Sequence, residues 1–172
     1  MPKLDEAVVS YRVFEDATEY LGIANVVLPD IEFLTATITG AGIAGEKEEI
    51  IRGHIKAMRT TFNFTNFGEN ALRLCTPEDH HIDLREVQQN RNLTAGKLEL
   101  VGVKHIMVLT PVKISLGRLE SGSTSDPSGE YAVSYYAQYR GGQRAIEIDP
   151  AGYVCYINGV DYLEDVRSTM GL

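Results

Sequence analysis

The sequence predicts a mainly β fold, an antiparallel β-sandwich or rolled β-barrel with one short flanking α-helix and a second short helix at the C-terminus. Three observations lead there. Tyr131, Val133, Tyr135, Ala137 and Tyr139 alternate with Ala132, Ser134, Tyr136 and Gln138, the period-two signature of a strand with one face more buried than the other. Leu98 to Ile114 is apolar at both parities, so both faces of that strand should be covered, by the fold's other sheet or by a neighbouring subunit. Pro29, Pro77, Pro127 and Pro150 fall between the patterned stretches, where chain breakers belong.

In chain order, Val8–Phe14 and Tyr20–Leu28 read as two strands around a turn near Glu15–Ala17. Ile31–Thr39 is the next strand, followed by the glycine-rich Gly40–Gly45. His54–Phe64 reads as one strand, with Met58, Phe62 and Phe64 on one side and Arg59, Thr61 and Asn63 on the other. A short helix is predicted from Glu69 to Cys75: Asn66 and Glu69 have capping spacing, Ala71, Leu72 and Cys75 share a stripe, and Pro77 ends it. Within the apolar run, Pro111 has no N–H and so predicts an edge or a bulge. Gly122–Gly129 (GSTSDPSG) reads as a short flexible loop, and Asp149–Gly152 as a turn. After a strand from Tyr153, Asn158-Gly159 supplies the two φ > 0 positions of a type I′ turn. Asp161 and Glu164 then have capping-box spacing ahead of a helix that Gly171 ends.

The 172 residues are 44% hydrophobic and 23% charged, which suits an ordinary core and a single domain spanning 1–172. No apolar run approaches the roughly 20 residues of a membrane-spanning helix. The acidic start MPKLDEAVVS is unlike a secretory leader, so the expected site of synthesis is the cytoplasm. Cys75 and Cys155 have no C-x-x-C partner or metal-ligand spacing, and two free thiols are expected. With 24 acidic residues against 16 basic ones, a net charge of −8 and no basic run, tight nucleic-acid binding is disfavoured.

Several motifs invite a chemical reading. Gly40, Gly42 and Gly45 match G-x-G-x-x-G after a predicted strand, but Glu46, Glu48 and Glu49 stand where a diphosphate would sit, and no strand-helix repeat follows. A loop joining two strands is the better reading. His80, His81 and Asp83 are the one cluster of potential metal ligands, and the core of the rival reading as a small metal-binding domain or enzyme. Adjacent histidines point different ways and no second pair supports them, so a surface loop is expected. His54 and His105 read as structural or interface imidazoles within strands. There is no G-x-S-x-G and no His beside either Cys in sequence; no catalytic, cofactor or metal residue is assigned. Arg140 beside Tyr135, Tyr136 and Tyr139 is thin support for single-strand binding.

The ending YVCYINGVDYLEDVRSTMGL (Tyr153–Leu172) resembles that of the major tail tube protein of contractile-tailed bacteriophages, in the order I-N-G-V-D, a following Leu and the closing G-L. Four further blocks resemble their counterparts: Asn25–Phe33, Thr39–Gly45, Thr60–Phe67 and Tyr131–Asp149. Between Glu69 and Ser128 only the order of elements matches. The resemblance implies a non-enzymatic virion subunit, made in the bacterial host, that closes edge to edge into hexameric rings stacked as a tube inside a sheath. Its implied partners are copies of itself, the tail sheath protein, baseplate and tape-measure proteins, and phage DNA passing through an acidic lumen without specific binding. An R-type bacteriocin or secretion-type injection device uses the same tube. Candidate contacts between subunits or rings are Gly40, Gly42, Gly45 and Glu46 in one loop and Gly122, Asp126 and Gly129 in another.

Overall fold

Asp16 and Ala17, both at positive φ, turn β1 (Lys3–Glu15) back into the two-residue β2 (Thr18–Glu19). The computed structural model describes residues 3–20, 22–40, 42 and 44–172. β3 (Ile23–Val27), β4 (Phe33–Ile38), β5 (Lys47–Ile55) and β6 (Met58–Phe64) follow, then α1 (Glu69–Arg73). β7 (His80–Asn92) and β8 (Lys97–Ser115) make one long hairpin, and β9 (Ser128–Arg140) and β10 (Gln143–Asp149) a second. β11 (Val154–Ile157), β12 (Val160–Asp161) and α2 (Glu164–Met170) complete the chain.

Among the described residues ten strands share one antiparallel sheet, in the order β12-β11-β10-β9-β8-β7-β1-β2, with β6 and β3 branching from β9. The branch point shapes the fold. One edge of β9 pairs β8, while the other is divided: Ser128–Val133 pair β6 and Tyr136–Arg140 pair β10. The core draws Phe62 and Phe64 from β6, Ile82 and Leu84 from β7, Met107 and Leu109 from β8, and Ile148 and Cys155 from the β10–β11 side. Phe62 and Tyr131 meet edge to face at 5.4 Å between ring centroids. No barrel closes among the described residues, which leaves the sandwich form of the predicted fold.

Several expectations change in register or extent. The alternation along β9 breaks at Ser134, which has no partner between Val133↔Leu109 and Tyr135↔Val108. The extra residue reverses the parity, so Tyr136 continues the buried face of Tyr131 and Val133, and Tyr135 joins the opposite face. His54–Phe64 is two strands: β5 pairs β4 in a separate ribbon, β6 pairs β3 and β9, and the chain crosses between them at Lys56–Ala57. Gly122–Gly129 ends inside β9, which begins at Ser128. Pro111 lies past the end of the β7 pairing, where a bulge spans Pro111 and Lys113.

Both helices lack the predicted side-chain caps. Asn66 Oδ1 instead accepts from Ser125 N and Oγ, and Asp161 Oδ1 accepts from Leu163 N and Cys155 N. The helix stops at Arg73, short of the predicted Cys75; its Ala71 and the following Leu74 are buried, while Leu72 is exposed. Asn158 (φ 49) and Gly159 (φ 91) form the expected turn, and Gly171 (φ 76) ends α2 while Leu172 N donates to Arg167 O at 3.0 Å.

Candidate assembly surface

β1 uses one edge to pair β7 from Lys3 to Glu15, whereas β2 occupies the other only at Phe14 and Glu15. From Leu4 to Arg12 that second edge has no strand partner among the described residues. It faces the free edge of β3 across a slot of about 490 Å³ lined by Val8, Ser10, Arg12, Gly22, Ile23 and Ala24. Tyr11 OH donates to Ala24 O at 3.2 Å across the gap. Two unpaired edges, with Val8 and Val9 exposed on β1 and Val27 on β3, are templates for pairing with another chain.

The β4–β5 ribbon extends from the body with Leu34, Ile38, Ile50 and Ile51 exposed. A lone two-stranded ribbon is marginal in water, so these side chains need cover from outside the chain. Its base is sealed by Lys56 N donating to Glu32 O at 2.8 Å and by the Lys56–Glu32 ion pair. At its tip Gly40 and Glu46 are exposed, and Gly42 (φ 94) and Gly45 (φ 133) take conformations that favour glycine. Residues 41 and 43 of the GAGIAG motif lie outside the described residues. The motif joins two strands, with no helix N-terminus to receive a diphosphate.

The connection from β8 to β9 is held to the body. Arg118 N donates to Ser125 O at 2.8 Å, Ser125 N to Asn66 Oδ1 at 3.2 Å, and Phe64 N to Pro127 O at 2.8 Å. Gly117 (φ 78) lies so close to Ser125 that a Cβ would overlap its carbonyl. Gly122 (φ 81) and Asp126 (φ 48) are exposed here, and Thr124 Oγ1 donates to Asp126 Oδ1 at 2.6 Å. Gly129 is buried in β9, where a Cβ would overlap the Tyr131 ring.

His80, His81 and Asp83 lie on β7 and not in a loop. His80 is buried: Nδ1 is 2.8 Å from Glu15 Oε1, Tyr20 OH donates to the other oxygen of Glu15, and Nε2 is 3.1 Å from Thr76 O. His81 and Asp83 point to the opposite face, and Asp83 is held by Arg85 at 2.8 Å and Lys104 at 3.1 Å. Burial works to raise the Asp83 pKa, but these two cations outweigh it and pull it down. The three therefore do not converge, and no cluster of three or more His, Cys, Asp or Glu among the described residues is placed to hold a metal.

His54 is exposed on β5, while His105 is buried with Nδ1 3.0 Å from Tyr136 OH. Cys75 and Cys155 are free thiols, both raised in pKa by burial. The unpaired β1 and β3 edges escaped sequence reasoning, because pairing partners are not written in any local pattern.

A family model described as phage tail tube protein FII matches residues 5–171. Among solved structures, a chain from the sheath/tube terminator of an extracellular contractile injection system, PVC, in its extended state is similar at 13% identity and a TM-score of 0.53, covering 78% of this chain and 96% of that one. A chain of the sheath-tube complex of the same system is similar at 14% identity and a TM-score of 0.51, covering 75% and 87%. A chain from the baseplate of the anti-feeding prophage has 8% identity and a TM-score of 0.50, covering 79% and 97%. No curated protein matches.

Proposed function

The chain belongs to the phage tail tube protein FII family, and from that premise we propose that it builds the inner tube of a contractile tail from stacked hexameric rings. The observation that carries the reading is a body with two unpaired strand edges and an uncovered ribbon, matched over nearly its whole length to a family of tube subunits. Edge strands joining between copies satisfy backbone groups that a monomer leaves to water, and a ring closes when six such joints return to the start. Ring-to-ring contacts are heterologous and do not close, so they propagate into a filament. The glycine loop Gly40–Glu46 and the exposed Gly122 and Asp126 are contact points in this assembly.

Its partners in this reading are copies of itself, the sheath, the baseplate and a tape-measure protein, all in the virion tail. Phage DNA passes through without specific binding: a net charge of −8 per copy gives the wall the sign that repels a duplex. The role is structural and involves no catalysis; the dispersed positions of His80, His81 and Asp83 give the metal-domain rival nothing to build on. One tail-tube domain accounts for the chain. A bacteriocin-like device using the same tube is separated by its lumen, which need not be acidic.

Negative-stain microscopy of the concentrated protein tests the proposal. Rings or hollow tubes are expected. Uniform compact monomers at every concentration, with or without baseplates from the same particle, would overturn it.

A further inference from the structure

We infer that the β4–β5 ribbon swings on a hinge at Ile51–His54 and is latched to the start of α2 by Leu163, so that moving one of these surfaces moves the other. The register of the ribbon locates the hinge. Phe33 pairs Ile55 and Thr35 pairs Ile50, which leaves Ile51, Arg52, Gly53 and His54 standing opposite Leu34 alone. A four-against-one bulge interrupts the ladder between the base of the ribbon and its outer part. Beyond it, Thr35 bonds Glu48 and Lys47 pairs Glu49, and among the described residues none of these four side chains reaches the body. The outer ribbon is one unit on a two-strand stalk.

The latch is slight. Gly53, buried and left-handed at φ +71, meets Leu163, and Arg52 Nη2 lies 3.6 Å from Asp165 Oδ2 in an ion pair exposed on both sides. An exposed pair holds little. Leu163 has a second place to go, because with Ile55, Ile148, Pro150, Tyr153 and Val154 it lines a cavity of about 160 Å³. An engineered apolar cavity of about 150 Å³ admits benzene, so this one has room for a leucine side chain. Packed side chains switch between discrete arrangements, and the cavity supplies the second one.

Leu163 also begins the C-terminal helix. Its N donates to Asp161 Oδ1 at 3.0 Å and its O accepts from Arg167 N at 3.0 Å, so a shift of this residue passes into the first turn of α2. Such coupling is reciprocal: whatever grips the ribbon repositions the helix, and whatever grips the helix repositions the ribbon. In the latched position Ile38 and Ile50, on opposite faces of the ribbon, are both exposed. Resting on the tube reading above, the ribbon reaches its neighbour with the latch open, and the C-terminal surface that exposes Met170 and Leu172 changes as it does.

Two measurements test it. In the monomer, NMR relaxation dispersion is expected to show the Gly53 amide, the Leu163 methyls and the α2 amides exchanging at one shared rate on the μs–ms timescale of hinge motion. Val154→Phe fills the cavity and is expected to cut the population of the open state at least about fivefold, and to slow tube formation, without lowering Tm. In assembly, a Cβ on Gly53 would lie 2.4 Å from Leu163 Cγ, one bond from Leu163 Cβ, so the pair Gly53→Cys with Leu163→Cys is within disulfide reach. With Cys75→Ser and Cys155→Ala removing the other thiols, the oxidised pair is expected to form no tubes and the reduced pair to recover them. Flat or unrelated dispersion at Gly53 and α2 would overturn the inference. So would tubes from the oxidised pair, or tubes at the unaltered rate from Val154→Phe. If the unaltered protein forms neither rings nor tubes, the tube reading falls alone and the dispersion still decides the hinge.

Discussion

Gly53 of β5 packs against Leu163, so closely that a Cβ on Gly53 would overlap Leu163 Cγ and Cδ2. Gly53 also has φ +71, a conformation that L side chains rarely adopt. The contact ties the base of the exposed ribbon to the residue that precedes the C-terminal helix α2. Beside it lies a cavity of about 160 Å³ lined by His54, Ile148, Tyr153 and Leu163.

Gly53→Ala should therefore be costly. The left-handed backbone contributes about 1 kcal/mol and overpacking against Leu163 about 1–3 kcal/mol, giving a loss of roughly 2–4 kcal/mol in urea denaturation. Leu163→Ala should cost less in the Gly53→Ala background than alone, because it removes the clash, with a coupling energy of at least about 1 kcal/mol. Strict additivity of the two substitutions would refute the contact.

Glu15 anchors a buried network, holding His80 Nδ1 at 2.8 Å with one oxygen and Tyr20 OH with the other. Glu15→Ala strands both partners in the core and should lower stability by about 2–4 kcal/mol. Glu15→Gln keeps an acceptor and should cost about 1 kcal/mol. Chemical denaturation of both variants is the check, and a Glu15→Ala cost under about 0.5 kcal/mol would show that the network contributes nothing.

What the sequence made legible was set by local chemistry. Asn158-Gly159 carries its own turn, and Gly171 its own helix end, wherever the flanking residues pack. The bulge at Ser134 was illegible because it belongs to the register of β9 against β8, which the even alternation of Tyr131–Tyr139 conceals. Asn66 and Asp161 have capping spacing, yet their oxygens accept from N–H groups that folding brings from Ser125 and Cys155. Among the candidate contacts, Gly40, Gly42 and Gly122 read correctly as loop positions. The burial of Gly129 follows from the Tyr131 ring, and nothing in GSTSDPSG encodes that ring's position.

Acid should weaken the C-terminal clasp. Asp161 Oδ2 pairs Arg167 at 2.7 Å, and Arg167 donates onward to Tyr153 O. Burial works to raise the Asp161 pKa, but the Arg167 bond and two backbone N–H groups outweigh it and hold it low. A depressed carboxylate contributes stability above its unfolded pKa of about 3.9 and loses it as pH falls through the folded value. Asp161→Ala should cost about 2–3 kcal/mol at neutral pH, and the difference from the unaltered protein should shrink toward pH 3. A difference that stays constant with pH would exclude the ionised clasp.

Alkali acts on the core. Tyr131 and Tyr136 are buried, and burial raises both phenols, Tyr136 to about 12. Above pH ~10 the unfolded chain releases protons that the native chain retains, so stability falls with rising pH, by about 1.4 kcal/mol per pH unit for each such tyrosine. Tyr136→Phe should reduce that slope by one such increment, read from urea melts between pH 10 and 12. An unchanged slope would mean that Tyr136 ionises in the folded state.

The ribbon separates folding from assembly. Replacing Thr35–Glu49 by a short Gly-Ser turn removes Ile38, Gly40 and Glu46, all exposed, and leaves the sealed base at Glu32 and Lys56 intact. Among the described residues no fully buried core side chain lies in the removed segment, so Tm should change by less than about 4 °C, equivalent to under about 1 kcal/mol. A structural subunit that uses the ribbon to reach its neighbours should then remain monomeric where the full chain forms tubes, as read by sedimentation velocity and microscopy. Unimpaired tubes from the shortened chain would show that the exposed β1 and β3 edges suffice for assembly and that the ribbon serves some other contact.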